Sequence, residues 1–132
     1  IIDFDRLVMY YTNAGHNPPL ILKKSGEWLK LHEGGIVLGF MPNQEFTQMT
    51  QYIDAGDILV LYTDGVTEVF SEKEDLFGEE RLKKIIQKNR DNSAEEILQQ
   101  IIHEVTAFAP DSVQQDDITL VVLKVGKQKA WS

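Results

Sequence analysis

Ala55-Gly56-Asp57-Ile58-Leu59-Val60-Leu61-Tyr62-Thr63-Asp64-Gly65 begins with a turn and ends with one. Between the two, Ile58 to Tyr62 is a continuous apolar run of strand length. Such a run is the pattern of a strand buried on both faces, unlike the alternation of a half-exposed one. Thr63-Asp64-Gly65 stops it abruptly, so the Asp64 carboxylate sits at the carboxyl end of an inner strand.

Working upstream, residues 1–12 are rich in β-branched, aromatic and other apolar residues and read as strand, broken near Asp5. Asn13-Ala14-Gly15-His16-Asn17-Pro18-Pro19 is a loop by its glycine and two prolines. A strand at 20–24 turns at Ser25-Gly26 and returns over 27–32 as a short hairpin partner. Imperfect alternation over 46–53 suggests another strand. Downstream the period changes. Glu79 to about Asn89 carries Leu82, Ile85 and Ile86 on one helical face, with acids early and lysines late, as the helix dipole favours. Ser93 followed by Glu96 is a capping box, opening a helix whose apolar face is Ile97, Leu98, Ile101, Ile102, Val105 and Phe108. Pro110 stops it, Ile118 to Val125 reads as a last strand, and a polar tail covers 127–132. Strands, two helices and a strand, in that order, make an α+β domain rather than a doubly wound parallel sheet.

Composition narrows the function classes. The 132 residues make one domain by length, with 42% hydrophobic and 26% charged residues, as in ordinary globular proteins. A net charge of −8, with no run of Lys or Arg longer than two, repels a phosphate backbone and argues against nucleic-acid binding. Zero cysteines exclude disulfides, thiol nucleophiles and cysteine-ligated metal sites, and fit a cytoplasmic location. No apolar stretch approaches the ~20 residues that span a bilayer, so no membrane contact is expected. Asp3, Asp5 and Arg6 break the amino-terminal apolar run, against a signal peptide. Ile1 lacks a preceding methionine and enters a strand pattern at once, as a fragment or processed product would.

Acids directly adjoin inner strands in two places: Asp64, and the pair Asp116 and Asp117 ahead of the last strand. If those strands are neighbours, the carboxylates converge, and convergent carboxylates raise a pKa or call for a cation. Mg²⁺ or Mn²⁺ suits oxygen ligands in a cysteine-free site. Asp-Gly after a strand is equally a common turn, and Asp117 equally a solvated strand end. His16 is a candidate for contact with a substrate phosphate, although a loop histidine more often hydrogen-bonds to the backbone. The acidic stretch from Glu68 to Glu80 reads as a solvated loop leading into a helix.

The blocks Asn13 to Pro19, Gly35-Ile36-Val37-Leu38-Gly39, Ala55 to Glu68, Phe77-Gly78-Glu79-Glu80-Arg81-Leu82 and Asp116 to Leu123 together resemble the SpoIIE-type branch of the metal-dependent protein phosphatases. They fall in that family's order and cover residues ~10–125. The resemblance implies part of an α-β-β-α sandwich over residues 1–126, with two antiparallel sheets and flanking helices. It also implies a binuclear Mn²⁺ or Mg²⁺ centre in the intact domain, with Asp64 and Asp116 as metal ligands. Gly65, Asp117 and His16 then lie around the ions or the substrate. The implied reaction is dephosphorylation of phosphoserine or phosphothreonine on a regulatory protein of the anti-sigma-factor-antagonist type; the alternative is a non-catalytic binding module of the same fold. One departure is serious. The family's Gly-Asp-x-x-Gly-x-Gly block, whose aspartate bridges both metals, does not occur, and Asp3 and Asp5 stand in an unrelated context. Weak metal binding and little activity are therefore expected of this chain alone. Sheets lacking strands would also leave open edges and bare apolar faces, favouring self-association or a missing partner fragment.

Overall fold

The computed structural model describes residues 1–109 and 117–126. Its elements in chain order are β1 (Ile2–Asp3), β2 (Val8–Tyr11), β3 (Leu20–Leu22), β4 (Trp28–Lys30), β5 (Met49–Tyr52), β6 (Ile58–Tyr62), α1 (Asp64–Thr67), α2 (Gly78–Lys88), α3 (Ala94–Phe108) and β7 (Leu120–Lys124). The strands form two antiparallel sheets, one ordered β1-β2-β5 and the other β4-β3-β6-β7. The break expected near Asp5 is a turn. Asp3 Oδ1 accepts from the amides of Asp5 (3.1 Å) and Arg6 (2.9 Å), so its carboxylate is taken up locally.

Side chains alternate across a strand, and this alternation divides the core in two. Leu20 and Leu22 of β3, with Ile58, Val60 and Tyr62 of β6, join Leu82, Ile86, Ile97, Ile101 and Val105 from α2 and α3. The intervening Ile21 and Leu59 face the other way and meet Met9 of β2 and Leu31. The larger sheet is thus an inner layer, covered by the smaller sheet on one face and by the two long helices on the other. Each fully buried aliphatic side chain contributes roughly 1.5–3 kcal/mol relative to exposure. The α+β arrangement of two antiparallel sheets with flanking helices is the one expected. No helix among the described residues is long and apolar enough to cross a membrane.

Three details differ from the sequence reading. Asp64–Thr67 is a single helical turn, α1, where only a turn was expected. Ile102 is exposed, because the face of α3 that fits the sheet is the narrower stripe Ile97, Ile101 and Val105. Leu61, opposite Val121 in register, is 36% exposed and Val121 is 50% exposed. Both lie on the face that Leu59 and Leu123 turn toward the smaller sheet, so the expected uncovered apolar face appears at this end. The capping box of α3 is present as read: Ser93 Oγ accepts from the Glu96 amide at 3.2 Å, and Glu96 accepts from the Ser93 amide at 2.8 Å. Pro110 and the tail at 127–132 lie outside the described residues.

The start of β6 rests on a buried ion pair that the sequence reading passed over as a turn. Asp57 is 1% exposed. Its carboxylate accepts from the amides of Lys24 and Asp54, both at 2.8 Å, and pairs with the Lys23 ammonium. Lys23 also reaches Asp54 Oδ2 at 3.2 Å. Burial works against the Lys23 charge, but hydrogen bonds to Asp57 and Asp54 outweigh it and raise its pKa. Backbone bonds tie the same residue to the end of β7, with the Val125 amide donating to Asp57 O at 2.9 Å. Removing the Asp57 carboxylate leaves the Lys24 and Asp54 amides without their acceptor, while Lys23 keeps its contact with Asp54. Asp57→Ala should therefore lower unfolding stability in urea by about 2–4 kcal/mol. A loss below about 1 kcal/mol, the range of an exposed pair, would show that the clamp is solvated.

Candidate functional site

β6 and β7 pair over five rungs, from Ile58 opposite Lys124 to Tyr62 opposite Leu120. Thr63 makes the next rung. Its amide donates to Thr119 O at 3.0 Å, while its hydroxyl accepts from the Thr119 amide at 2.9 Å and donates to Asp117 O at 2.9 Å. Asp64 follows immediately as the first residue of α1, exposed, with Oδ1 accepting from the Gly65 amide at 3.0 Å. Gly65 and Val66 are buried, and Val66 joins the core beneath the helices. The turn is thus anchored below while its acid faces solvent. Asp117 is also exposed, at the lead-in to β7. Asp64 and Asp117 are therefore brought to the same end of two neighbouring strands. Asp116 lies outside the described residues.

His16 belongs to the loop that enters β3 opposite Val60, on the side of the sheet where β6 ends, and is held by its own loop. Its amide donates to Asn13 Oδ1 at 2.9 Å, and its Nδ1 lies 2.9 Å from Asn17 O. These contacts are the backbone role expected of a loop histidine. The organiser of this loop is Asn13, a buried polar residue that the sequence reading did not single out. Its Nδ2 donates to His16 O (3.0 Å) and Leu31 O (3.1 Å), and its amide to Glu33 O (3.1 Å). Gly15, at φ +88, packs so closely on Val37 that a Cβ would collide with it, and Gly34 packs equally closely on the Asn13 backbone. The Asn13–Pro19 and Gly34–Gly39 blocks thus interlock. A small polar residue directly before Ala-Gly was the available signal, but its meaning depended on the distant Leu31 and Glu33 carbonyls.

Behind the end of β6, the Tyr62 hydroxyl donates to Glu79 Oε2 at 3.3 Å. Glu79 also pairs with Lys30 and Lys83, each at 2.7 Å, joining β4, β6 and α2. Burial opposes the Glu79 charge, but hydrogen bonds from Lys30 and Lys83 prevail and lower its pKa. Burial, then the Glu79 charge, pushes the Tyr62 phenol up to about 12. Among the described residues no group of three or more His, Cys, Asp or Glu could hold a metal ion. The exposed carboxylate of Asp64 is nonetheless a hard oxygen donor of the kind Mg²⁺ and Mn²⁺ take, and Asp117 lies at the same sheet end. The donor type fits such an ion, and the described set is partial.

The sequence pattern of the family described as Stage II sporulation protein E (SpoIIE) matches residues 1–126. Protein IcfG of Synechocystis is 37% identical over 123 residues, 93% of this chain and 19% of that protein. The phosphoserine phosphatase RsbU of Bacillus subtilis is 32% identical over 123 residues, 92% of this chain and 36% of that protein. The chain thus spans less than two-fifths of the length of either curated relative. In fold, it resembles the phosphatase domain of the cell fate determinant SpoIIE from Bacillus subtilis, presoaked with Mn. The TM-score is 0.72 at 20% identity, covering 98% of this chain and 56% of that one.

The tyrosine behind the strand end carries a pH dependence. A phenol ionises near 10 in the unfolded chain and near 12 at Tyr62, so between those values the native state holds the extra proton. Stability from this group is complete below pH 10 and is lost as pH rises toward 12, by on the order of 2 kcal/mol. Tyr62→Phe should flatten that part of the stability profile and remove one late phenol from the ultraviolet titration. An unchanged profile would show that Tyr62 does not titrate in this way.

Proposed function

Since the chain belongs to the SpoIIE family, we propose that it is part of a metal-dependent phosphatase domain acting on phosphoserine or phosphothreonine of a regulatory protein of the anti-sigma-factor-antagonist type. Asp64 and Asp116 would hold divalent metal. The chemistry supplied by bound Mn²⁺ or Mg²⁺ is polarisation of phosphoryl oxygens and acidification of water. The chain's own residues supply the frame. Asp64 offers an exposed carboxylate on a turn anchored through Val66, and Thr63 keeps the 117–119 segment beside it. None of these 132 residues is a cysteine, so none of them supplies a thiol nucleophile. The observation that carries this reading is the meeting of the Asp64 turn and the Asp117 segment at one sheet end, from positions more than fifty residues apart.

The missing Gly-Asp-x-x-Gly-x-Gly block limits what these 132 residues do by themselves. Asp3 cannot substitute, since it is engaged in the β1–β2 turn. A second reading, a protein-binding module without catalysis, is favoured by the apolar loop after Gly35, where Val37, Leu38, Phe40 and Met41 are exposed, Phe40 to 76%. Self-association fits the bare Leu61–Val121 face and the edge of β7.

Calorimetric titration with Mn²⁺ should give weak binding that Asp64→Ala and Asp116→Ala abolish; equal heats for all three proteins would remove the metal assignment. Turnover of a phosphoserine peptide by this chain should be little or none, and a rate near that of an intact family member would overturn the limit set by the absent block. Light scattering should report species larger than a monomer as concentration rises, against which a clean monomer throughout would count.

A further inference from the structure

Thr63 occupies the N-cap position of α1 with φ −87 and ψ 165, where a threonine hydroxyl ordinarily accepts from an amide of the first helical turn. It makes no such bond. The hydroxyl is turned across to the neighbouring strand, spending its one proton on Asp117 O and accepting the Thr119 amide. The backbone could not do this work. The Thr63 carbonyl is taken by the Val66 amide at 3.0 Å and the Asp64 carbonyl by the Glu68 amide at 2.7 Å, because the chain has already turned into α1. The β6–β7 ladder therefore has no main-chain means of continuing past Thr119. One hydroxyl carries the connection two residues further, to the peptide group of Asp117.

We propose that Thr63 is a positioning residue for divalent metal: its hydroxyl holds the Asp117 segment at a fixed separation from the Asp64 carboxylate. The inference rests on the metal reading of Asp64 and adds to it the element that keeps the 117–119 segment beside that acid. Thr63 touches neither ion nor substrate. It acts by holding the backbone on both sides of the gap, directly before Asp64 on one strand and at Asp117 on the other.

The test is Mn²⁺ titration of the ¹⁵N-labelled full chain, read as paramagnetic broadening of the Asp64, Gly65 and Asp117 amides. Thr63→Val keeps the shape and removes the hydroxyl, and Thr63→Ser keeps the hydroxyl. Asp64→Asn removes the ligand charge. Thr12→Val is the control, since it deletes a comparable hydroxyl bond, Thr12 Oγ1 to Thr47 O at 2.7 Å, that does not join β6 to β7. Thr63→Val should weaken Mn²⁺ binding by about tenfold to a hundredfold, the range seen when groups that orient a metal ligand are removed. Thr63→Ser should return it to near the wild-type value, and Thr12→Val should leave it unchanged. Wild-type affinity in Thr63→Val, with binding lost in Asp64→Asn, would overturn the positioning role while the metal reading stands. Wild-type affinity in Asp64→Asn, or no broadening in the wild-type chain, would overturn both. If Thr63→Val does not fold, amide exchange in the wild-type chain decides. Exchange at Thr119 should slow as diamagnetic Mg²⁺ is added to saturation, and a rate unmoved by the metal would overturn the inference.

Discussion

Strand β6 is clamped at both ends, by Asp57 before it and Thr63 after it, and the position of everything else follows from those two clamps. At the start, the Asp57 carboxylate draws in Lys23, Lys24 and Asp54, while its carbonyl takes the Val125 amide from the end of β7. At the finish, Thr63 holds Asp117 and Thr119. Five ladder rungs lie between. A strand fixed in this way cannot slip by one residue, and a slip would turn Ile58, Val60 and Tyr62 away from the helices. The two ends serve different purposes: the Asp57 end is buried and closed, while the Thr63 end opens on exposed acid.

That division places a closed ion pair and an exposed acid at opposite ends of one element. The buried pair at Asp57 has its charges matched and its lone pairs occupied, which is the condition under which an interior ion pair is tolerated. At the far end, Val66 is sunk in the core while Asp64 projects outward. The carboxylate is thus carried by a turn that cannot drift, yet it remains available to a cation. The cluster of Tyr62, Glu79, Lys30 and Lys83 stiffens the same region from the helix side without adding a donor to the acid end.

The bare surface is informative in the same physical terms. Leu61 and Val121 share a rung and a face with the inter-sheet core, yet the three-stranded sheet does not cover them. They lie next to the acidic end, so exposed apolar side chains and an exposed acid share one end of the β6–β7 pair.

Much of the fold was legible in the sequence because it depends on neighbours in the chain. The apolar run Ile58 to Tyr62, the hairpin at Ser25-Gly26, the capping box at Ser93 and the stripe Ile97, Ile101 and Val105 all declare themselves through spacing, since residues a few positions apart share a face or a cap. The ordered blocks around Asp64 likewise pointed to the family. Tertiary structure alone decided which strand lies beside β6, that Asp57 is a buried ion-pair partner rather than a surface turn, that Asn13 organises the His16 loop, and that Ile102 stays outside. It also decided where the Thr63 hydroxyl points. A hydroxyl ahead of a helical turn has a local partner and a distant one. The distant one prevails only when a strand more than fifty residues away brings its carbonyl within hydrogen-bonding reach, and no local pattern records that approach.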